Sequence, residues 1–262
     1  MFVRFALVGI IWLLCFQGSL WSQEVPSFQK EVLQTEIGSL PYRILLPADF
    51  SKNKEYPLLI FLHGSGERGD DNELQLTLGA DLFLSEEVRQ KHQAIVVFPQ
   101  CPVDRSWNNS VYRNDGPNRV QFPKAILPNP QQEQLEKLIE HLKATYSLNL
   151  RKLYIGGLSM GGMGTLELAR RNPRLFAAAF SICGGAHPEV AGQLANTPIW
   201  LFHGDADTVI PVSGSKDLAN ALQKTGAPIR ITVYPKVGHD SWTPAFAEPD
   251  LLPWLFSQEK KE

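Results

Sequence analysis

Continuous runs of apolar residues recur along the chain, each bounded by glycine, proline or polar residues. Because such runs suit strands that are buried on both faces of a parallel sheet, we predict strands there. They cover residues 57–62, 94–99, 152–157, 177–182, 198–203 and 229–234. Two further strand-like runs, 31–37 and 40–46, flank Gly38-Ser39 and predict a β-hairpin with its turn at that dipeptide.

Stretches with helical periodicity lie between these strands. The clearest covers 131–146, where apolar residues recur at helical spacing, charged residues occupy the other face and Pro130 stands at the start. We predict two more helices over 160–171 and 213–224, the latter stopped by Gly226. The alternation of strands and helices predicts an α/β protein with a mainly parallel sheet and helices on both faces.

The segment 101–129 interrupts this alternation. It contains several proline and asparagine residues, four basic residues and Trp107, and it has no periodicity. Loops of this length without secondary structure are uncommon in compact domains and usually serve function. Two interpretations stay open, a segment that faces the substrate and a surface excursion without a role.

The first 22 residues have the features of a secretory signal peptide. A short positive stretch ending at Arg4 precedes the uncharged apolar run 5–16, which is too short to span roughly 30 Å of hydrocarbon as a helix. We predict cleavage after Ser22 and a secreted or periplasmic protein without a stable membrane partner; an uncleaved anchor is the alternative. Residues 23–262 contain no repeat, low-complexity tract or linker, so we predict a single domain there.

The composition excludes several classes of protein. Of the 262 residues, 44% are hydrophobic, which can form a real core and excludes an intrinsically disordered chain. The 25 basic and 27 acidic side chains leave a net charge of −2, so there is no overall attraction to nucleic acid as a partner. Three cysteines cannot make a disulfide scaffold, and their spacing fits no zinc ribbon.

The strongest chemical motif is Gly-Leu-Ser-Met-Gly at residues 157–161, directly after a predicted strand and directly before a predicted helix. The pattern alone is common by chance, but a nucleophile elbow requires this strand–turn–helix placement. The turn is so tight that side chains at Gly157 and Gly161 would clash, and it lifts the Ser159 hydroxyl to the carboxyl edge of the sheet. The alternative is a glycine-rich turn in which Ser159 caps the helix.

A serine hydroxyl needs a neighbouring base to become a good nucleophile. We assign this base to His239, which follows the predicted strand 229–234 at the same sheet edge. The imidazole in turn needs a carboxylate, and we favour Asp207 over Asp205, which we expect to form a turn. The chain order Ser159, Asp207, His239 is the order found in α/β-hydrolases.

The oxyanion that forms on a substrate carbonyl needs preorganised N–H donors. We predict that one donor is the amide of Met160, next to the nucleophile. The second donor comes from the glycine-rich loop 63–69, where we assign the Ser65 amide and keep the Gly66 amide as the second candidate.

The other polar residues near these loops are expected to support the backbone. His63 and His203 each precede a glycine at a strand end, and we assign them to loop support rather than to base chemistry. Glu67 and Arg68 are expected to pair with each other, with a direct contact between Arg68 and substrate as the alternative.

These motifs together resemble one subgroup of the α/β-hydrolases, the secreted bacterial esterases often labelled predicted peptidases. The subgroup is akin to dienelactone hydrolases, feruloyl esterases and the catalytic domains of prolyl oligopeptidases. The resemblance covers roughly residues 30–257 and rests on the segments 63–72, 99–102, 157–162, 182–185 and 238–242. It implies the α/β-hydrolase fold with an eight-stranded, mostly parallel sheet and a Ser159–Asp207–His239 triad. It also implies ester hydrolysis without a metal or another cofactor.

The same resemblance implies the strand order 1-2-4-3-5-6-7-8. Two strands then separate Cys101 from Cys183, and at about 4.8 Å per strand their sulfurs lie roughly 14 Å apart. This separation is beyond the reach of a disulfide, so we predict two free, buried thiols.

The sequence therefore favours a serine hydrolase that acts on small-molecule or polysaccharide-linked esters, with aryl or carbohydrate-linked esters as candidates. Trp107 and Trp242 are candidates for a wall that stacks on a phenolic or sugar group, although ordinary core packing accounts for each equally well. A serine peptidase of the prolyl-oligopeptidase type is the alternative enzyme. A non-catalytic binding module on a hydrolase scaffold is the alternative class, because a fold alone does not establish function.

Overall fold

A computed structural model describes residues 27–113 and 119–260, and the predicted signal peptide lies outside these residues. The strands are β1 (Gln29–Thr35), β2 (Gly38–Leu45), β3 (Tyr56–Leu62), β4 (Ile95–Pro99), β5 (Val111–Tyr112), β6 (Val120–Gln121), β7 (Leu148–Leu158), β8 (Ala178–Ile182), β9 (Ile199–Gly204) and β10 (Ile229–Tyr234). The α-helices are α1 (Ala80–Leu84), α2 (Glu86–Lys91), α3 (Pro130–Thr145), α4 (Met160–Arg171), α5 (Ala191–Leu194), α6 (Ser213–Lys224), α7 (Trp242–Phe246) and α8 (Leu251–Ser257). Within the described residues, no helix has the length and apolar character that a membrane span requires.

Eight strands form one sheet in the order β1-β2-β4-β3-β7-β8-β9-β10. The pairs β1–β2 and β2–β4 are antiparallel, and every other neighbouring pair in this sheet is parallel. The short strands β5 and β6 pair only with each other, so the large sheet has the predicted order once they are set aside. The predicted fold, a mostly parallel eight-stranded sheet, is confirmed.

The two faces of the sheet carry separate hydrophobic cores. Along β3, Leu58, Ile60 and Leu62 point into the core under α3, α4, α5 and α6, whereas Leu59 and Phe61 point into the core under α1, α2, α7 and α8. Successive side chains of a strand point to opposite faces, so a strand covered on both faces needs a continuous apolar run. This explains the sequence pattern and confirms helices on both sides.

The three predicted helices are present within one residue of their expected bounds. The helix α3 begins at Pro130 because the Asn129 side chain accepts hydrogen bonds from the amides of Gln131 (2.9 Å) and Gln132 (3.1 Å). The helices α4 and α6 have the predicted bounds, and Gly226 follows α6 with a φ of +78°.

The predicted turn of the N-terminal hairpin is wrong by two residues. Thr35 pairs with Gly38, so the turn consists of Glu36 and Ile37 rather than of Gly38-Ser39. The Thr35 hydroxyl closes this turn, since it donates to the Gly38 carbonyl at 2.8 Å and accepts from the Ile37 amide at 3.2 Å. Gly38 itself has a φ of +131°, which accounts for the glycine beside the turn.

Side chains of the helices α3 and α4 make hydrogen bonds to the irregular segment 101–129. Arg170 on α4 donates to the carbonyls of Lys124 (2.9 Å) and Ala125 (3.0 Å), and the Gln132 side chain on α3 donates to the Trp107 carbonyl. The described parts of this segment, 101–113 and 119–129, are therefore held by specific contacts, and a role toward substrate stays a prediction.

The two cysteines of the described residues are buried and free, as predicted. Burial raises the pKa of the Cys101 thiol to about 12, and it also raises the pKa of Cys183. We expect both thiols to react slowly with a thiol reagent in the native protein, because the thiolate is the reactive form. After unfolding without reductant, both should be labelled, as peptide mapping by mass spectrometry would show. A Cys101–Cys183 disulfide peptide would contradict this expectation.

Candidate active site

Ser159 stands at a sharp turn between β7 and α4. Its backbone has a φ of +52° and a ψ of −118°, a conformation that non-glycine residues rarely adopt and that stores strain. Its side chain makes no capping hydrogen bond to α4, so the interpretation of Ser159 as a helix cap is wrong. The hydroxyl is therefore free of the helix and available to a neighbouring base.

The turn leaves no room for side chains at the two flanking glycines. A Cβ built on Gly157 would lie 2.6 Å from the carbonyl carbon of Gly161, as predicted. A Cβ built on Gly161 would lie only 1.9 Å from the carbonyl oxygen of Leu62, at the end of the neighbouring strand β3. The turn therefore lies directly against the end of β3, and a residue with a side chain would not fit at position 161.

Ser159, His239 and Asp207 form a hydrogen-bonded line. The Ser159 Oγ lies 2.9 Å from His239 Nε2, and His239 Nδ1 lies 2.8 Å from Asp207 Oδ2. The Asp207 side chain is completely buried, whereas the His239 side chain is 21% exposed. The structure therefore brings together the three predicted side chains in the geometry that lets an imidazole accept a serine proton.

Asp205, the other carboxylate considered for the triad, lies elsewhere. Its Oδ1 accepts a hydrogen bond of 2.6 Å from the Lys236 amide, in the loop that carries His239. Asp205 thus ties the loop after β9 to the loop after β10, so its side chain bonds a distant amide rather than the local amides of the predicted turn.

Four hydrogen-bond donors surround the Asp207 carboxylate. Its Oδ1 accepts from the amides of Val209 (2.8 Å) and Ile210 (3.0 Å), and its Oδ2 lies 2.8 Å from His239 and 3.2 Å from His203 Nε2. Burial by itself would raise the pKa of Asp207, but hydrogen bonds from His203, His239 and the Ile210 amide outweigh it and hold the pKa well below its usual range. The carboxylate is therefore ionised at neutral pH.

The two predicted oxyanion donors lie beside Ser159, one at the start of α4 and the other in the loop after β3. Met160 is the first residue of α4, where helical amides have no intrahelical partner and the helix dipole favours negative charge. A Cβ built on Gly64 would lie 3.7 Å from the Ser159 Cβ, and the Ser65 amide follows at the start of a 3₁₀ turn, Ser65–Glu67. Their role toward an oxyanion stays a prediction.

The His63 side chain makes hydrogen bonds that hold the loop after β3 in place. Its Nε2 accepts a hydrogen bond of 3.0 Å from the Cys101 amide, so its Nδ1 carries the hydrogen and donates to the Gly64 carbonyl at 2.6 Å. Burial lowers the pKa of His63 to about 4, which keeps the ring neutral. The predicted loop-supporting role of His63 is confirmed.

The predicted pairing of Glu67 with Arg68 is wrong. The Arg68 guanidinium donates instead to the carbonyls of Ser65 (2.9 Å), Val103 (3.0 Å) and Arg105 (3.3 Å). A guanidinium has several donors in a rigid fork, so it can bind carbonyls from two loops at once. The Glu67 carboxyl turns inward, and burial raises its pKa.

The two tryptophans proposed as a stacking wall differ. Trp107 is fully buried, with its ring edge-on to His63 at 5.5 Å, so the prediction that it stacks on a substrate is wrong. Its side chain packs on α4, where a Cβ built on Gly164 would lie 2.4 Å from the Trp107 Cβ. Trp242 is partly exposed and edge-on to His239 at 5.6 Å, so a substrate contact by Trp242 stays a prediction.

Across residues 27–113 and 119–260, no group of three or more histidine, cysteine, aspartate or glutamate side chains is arranged to hold a metal ion.

Comparisons with known proteins point to one family. A model of the phospholipase/carboxylesterase family matches residues 49–248. The Salmonella typhimurium protein named "Putative carboxymethylenebutenolidase" is 30% identical over 113 residues, which are 38% of this chain and 42% of that protein. A solved thermostable esterase has a TM-score of 0.79 and 34% identity, and the match covers 89% of this chain and 63% of that one. The chain therefore spans less than two thirds of both relatives.

A solved ferulic acid esterase has a TM-score of 0.65 and 18% identity, with 88% of this chain and 98% of that chain covered. At this identity the likeness concerns the fold alone.

The neutral, buried His63 makes a testable contribution to stability. The unfolded chain takes up a proton at this histidine below pH ~6.5, whereas the folded protein takes it up only below about 4, so protons favour the unfolded state between these values. We expect His63 to lower the free energy of unfolding by up to about 3 kcal/mol as the pH falls from about 6.5 to 4.

Chemical denaturation across this pH range would measure the effect. A His63→Gln variant keeps an amide donor and acceptor but cannot titrate, so its stability should fall less steeply than that of the wild type. A His141→Gln variant, on α3, controls for the loss of one imidazole. Equal slopes in the wild type and in His63→Gln would contradict the assignment.

Proposed function

Since the chain belongs to the phospholipase/carboxylesterase family of α/β-hydrolases, we propose that it is a serine hydrolase that cleaves carboxylic esters through an acyl-enzyme on Ser159. The observation that carries this proposal is the hydrogen-bonded line of Ser159, His239 and Asp207, with contacts of 2.9 and 2.8 Å.

In the first half of the proposed reaction, His239 Nε2 takes the proton of the Ser159 hydroxyl while Oγ attacks the ester carbonyl carbon. The carbonyl oxygen becomes an oxyanion, which the amides of Met160 and Ser65 stabilise by hydrogen bonds. The tetrahedral intermediate then collapses, the bond to the alcohol oxygen breaks, and His239 returns its proton to that oxygen. The acyl group remains on Ser159 as an ester.

In the second half, water replaces the alcohol. His239 Nε2 takes a proton from the water, whose oxygen attacks the acyl carbon, and the second tetrahedral intermediate releases the acid and restores the Ser159 hydroxyl. Throughout, the Asp207 carboxylate keeps Nδ1 protonated and stabilises the imidazolium, without itself taking up the proton. Its low pKa and complete burial support this role.

The proposed substrates are small-molecule or polysaccharide-linked esters, among them aryl esters. The partly exposed Trp242 beside His239 supports this choice, because its ring can contact a phenolic or sugar group next to the scissile bond. The name of the thermostable esterase, which is 34% identical, also favours an esterase over a peptidase. A signal peptide over residues 1–22, secretion of the protein and a single domain over residues 23–262 complete the proposal.

Replacing the triad residues tests the mechanism. We expect Ser159→Ala, Asp207→Asn and His239→Ala each to lower kcat for p-nitrophenyl acetate by roughly 10⁴-fold or more, because each change breaks the same relay. A phosphonofluoridate should label Ser159 in the native protein and much more slowly in the Asp207 and His239 variants. Asp217→Asn, an exposed carboxylate on α6, is the matched control and should retain activity. A native protein that is neither labelled nor active would favour the binding-module alternative.

A substrate panel tests the choice between esterase and peptidase. We expect turnover of short p-nitrophenyl esters, methyl ferulate or acetylated xylan to exceed that of a prolyl-peptide amide in kcat/KM. Within the panel, Trp242→Ala should raise KM several-fold for methyl ferulate and leave KM for p-nitrophenyl acetate nearly unchanged, while Trp242→Phe keeps an aromatic face. A preference for the prolyl amide would replace the esterase assignment with the peptidase alternative.

A further inference from the structure

The carboxylate of Asp207 lies between two histidines, and the proposed reaction uses only one of them. His203, near the end of β9, is completely buried, and its Nε2 lies 3.2 Å from Asp207 Oδ2. The same Nε2 lies 2.9 Å from the carbonyl oxygen of Ile210. His239 approaches the same carboxylate oxygen from the side of Ser159, at 2.8 Å.

The partners of His203 determine where its hydrogen lies. The Ile210 carbonyl and the ionised Asp207 carboxylate can only accept hydrogen bonds, so Nε2 carries a hydrogen, which it donates to the Ile210 carbonyl, while Nε2 itself lies 3.2 Å from Asp207 Oδ2. On the other side of the ring, Nδ1 lies 2.8 Å from Ser215 Oγ, which in turn lies 2.9 Å from the Gly184 carbonyl oxygen. The ring is thus held in one orientation, with its Nε2 against Asp207 Oδ2.

The rest of the carboxylate is fixed by the backbone. Oδ1 accepts the amides of Val209 and Ile210, so the two imidazoles share Oδ2 alone. If His203 were absent, His239 would be the one side-chain donor to Oδ2 among the contacts in the described structure. Oδ2 would then be held from one side only, and the partner that orients the His239 ring toward Ser159 would be fixed less tightly.

We propose that His203 is a positioning residue for the reaction, which holds Asp207 Oδ2 in line with the Nδ1–H of His239. The inference rests on the proposed function, and it assigns His203 no contact with the substrate. The low pKa of Asp207, to which the His203 hydrogen bond contributes, agrees with it. In this arrangement a series of polar contacts runs from Ser215 on α6 through His203, Asp207 and His239 to the nucleophile.

Two replacements of His203 separate the hydrogen bond from the volume of the ring. His203→Leu removes the donor at similar size, whereas His203→Gln keeps an N–H near the position of Nε2. With p-nitrophenyl acetate we expect His203→Leu to lower kcat roughly 10- to 100-fold with KM changed less than about twofold, because Asp207 acts on the chemical step. His203→Gln should recover most of the lost kcat.

A double-mutant cycle distinguishes positioning from a general structural role. In an Asp207→Ala background His203 has no carboxylate to position, so His203→Leu should change the single-turnover rate by less than about twofold. If the His203→Leu loss were as large in that background as in the wild type, or if folded His203→Leu kept the wild-type kcat, the proposal would be overturned.

Ser215→Ala provides a second test should His203→Leu fail to fold, as judged by circular dichroism. It leaves His203 in place but removes the hydroxyl that orients it, so we expect a loss of a few-fold in kcat that also disappears in the Asp207→Ala background. Retention of that loss in the Asp207→Ala background would count against the proposal. A wild type without ester turnover or Ser159 labelling would overturn the proposed function itself, which separates that outcome from failure of the role of His203.

Discussion

The close approach of the Ser159 turn to the end of β3 is the contact on which the site depends. Gly161 lies so near the Leu62 carbonyl that no side chain fits between them, and Ser159 is held in a strained conformation that costs on the order of 1–3 kcal/mol. The burial of α4 along nearly its whole length offsets this strain, including the ion pair of Glu167 with Arg170 at 2.6 Å. The same approach places the start of α4 beside the loop after β3, where the proposed oxyanion donors meet.

The sheet order explains why the proposed base, His239, lies in the loop after the last strand. Ser159 follows β7 and Asp207 follows β9, with β8 between them, so the two strand ends are about 10 Å apart at about 4.8 Å per strand. A serine and a carboxylate cannot bond directly across that gap. An imidazole can bridge it, and the loop after β10 brings His239 between them. The hydrogen bond of Asp205 to that loop keeps the two loops together at the edge of the sheet.

Local patterns in the sequence were sufficient to predict the turn at Ser159 and the strands. The motif at residues 157–161 and each apolar run lie within one short segment, so no distant contact is needed to recognise them. Individual side-chain contacts that decide a turn or a packing site were not predictable in this way. The hairpin turn at Glu36–Ile37 depends on a hydroxyl that closes it, and the burial of Trp107 depends on the space that Gly164 leaves on α4. The helices α1, α2, α7 and α8 are too short for a clear period and owe their stability to packing.

Asp207 illustrates how folding and the proposed chemistry require the same contacts. A buried carboxylate is costly unless hydrogen bonds replace the water that it has lost, and four donors do so here. Two of these donors are amides of its own loop and one is the His203 side chain. The conformation of the loop after β9 therefore depends on contacts to the Asp207 carboxylate. The fourth donor, His239, is the one with an exposed side, and it alone contacts Ser159. The charge of Asp207 therefore both fixes the conformation of this loop and orients the His239 imidazole. In this way the buried hydrogen bonds of Asp207 affect the proposed reactivity of Ser159.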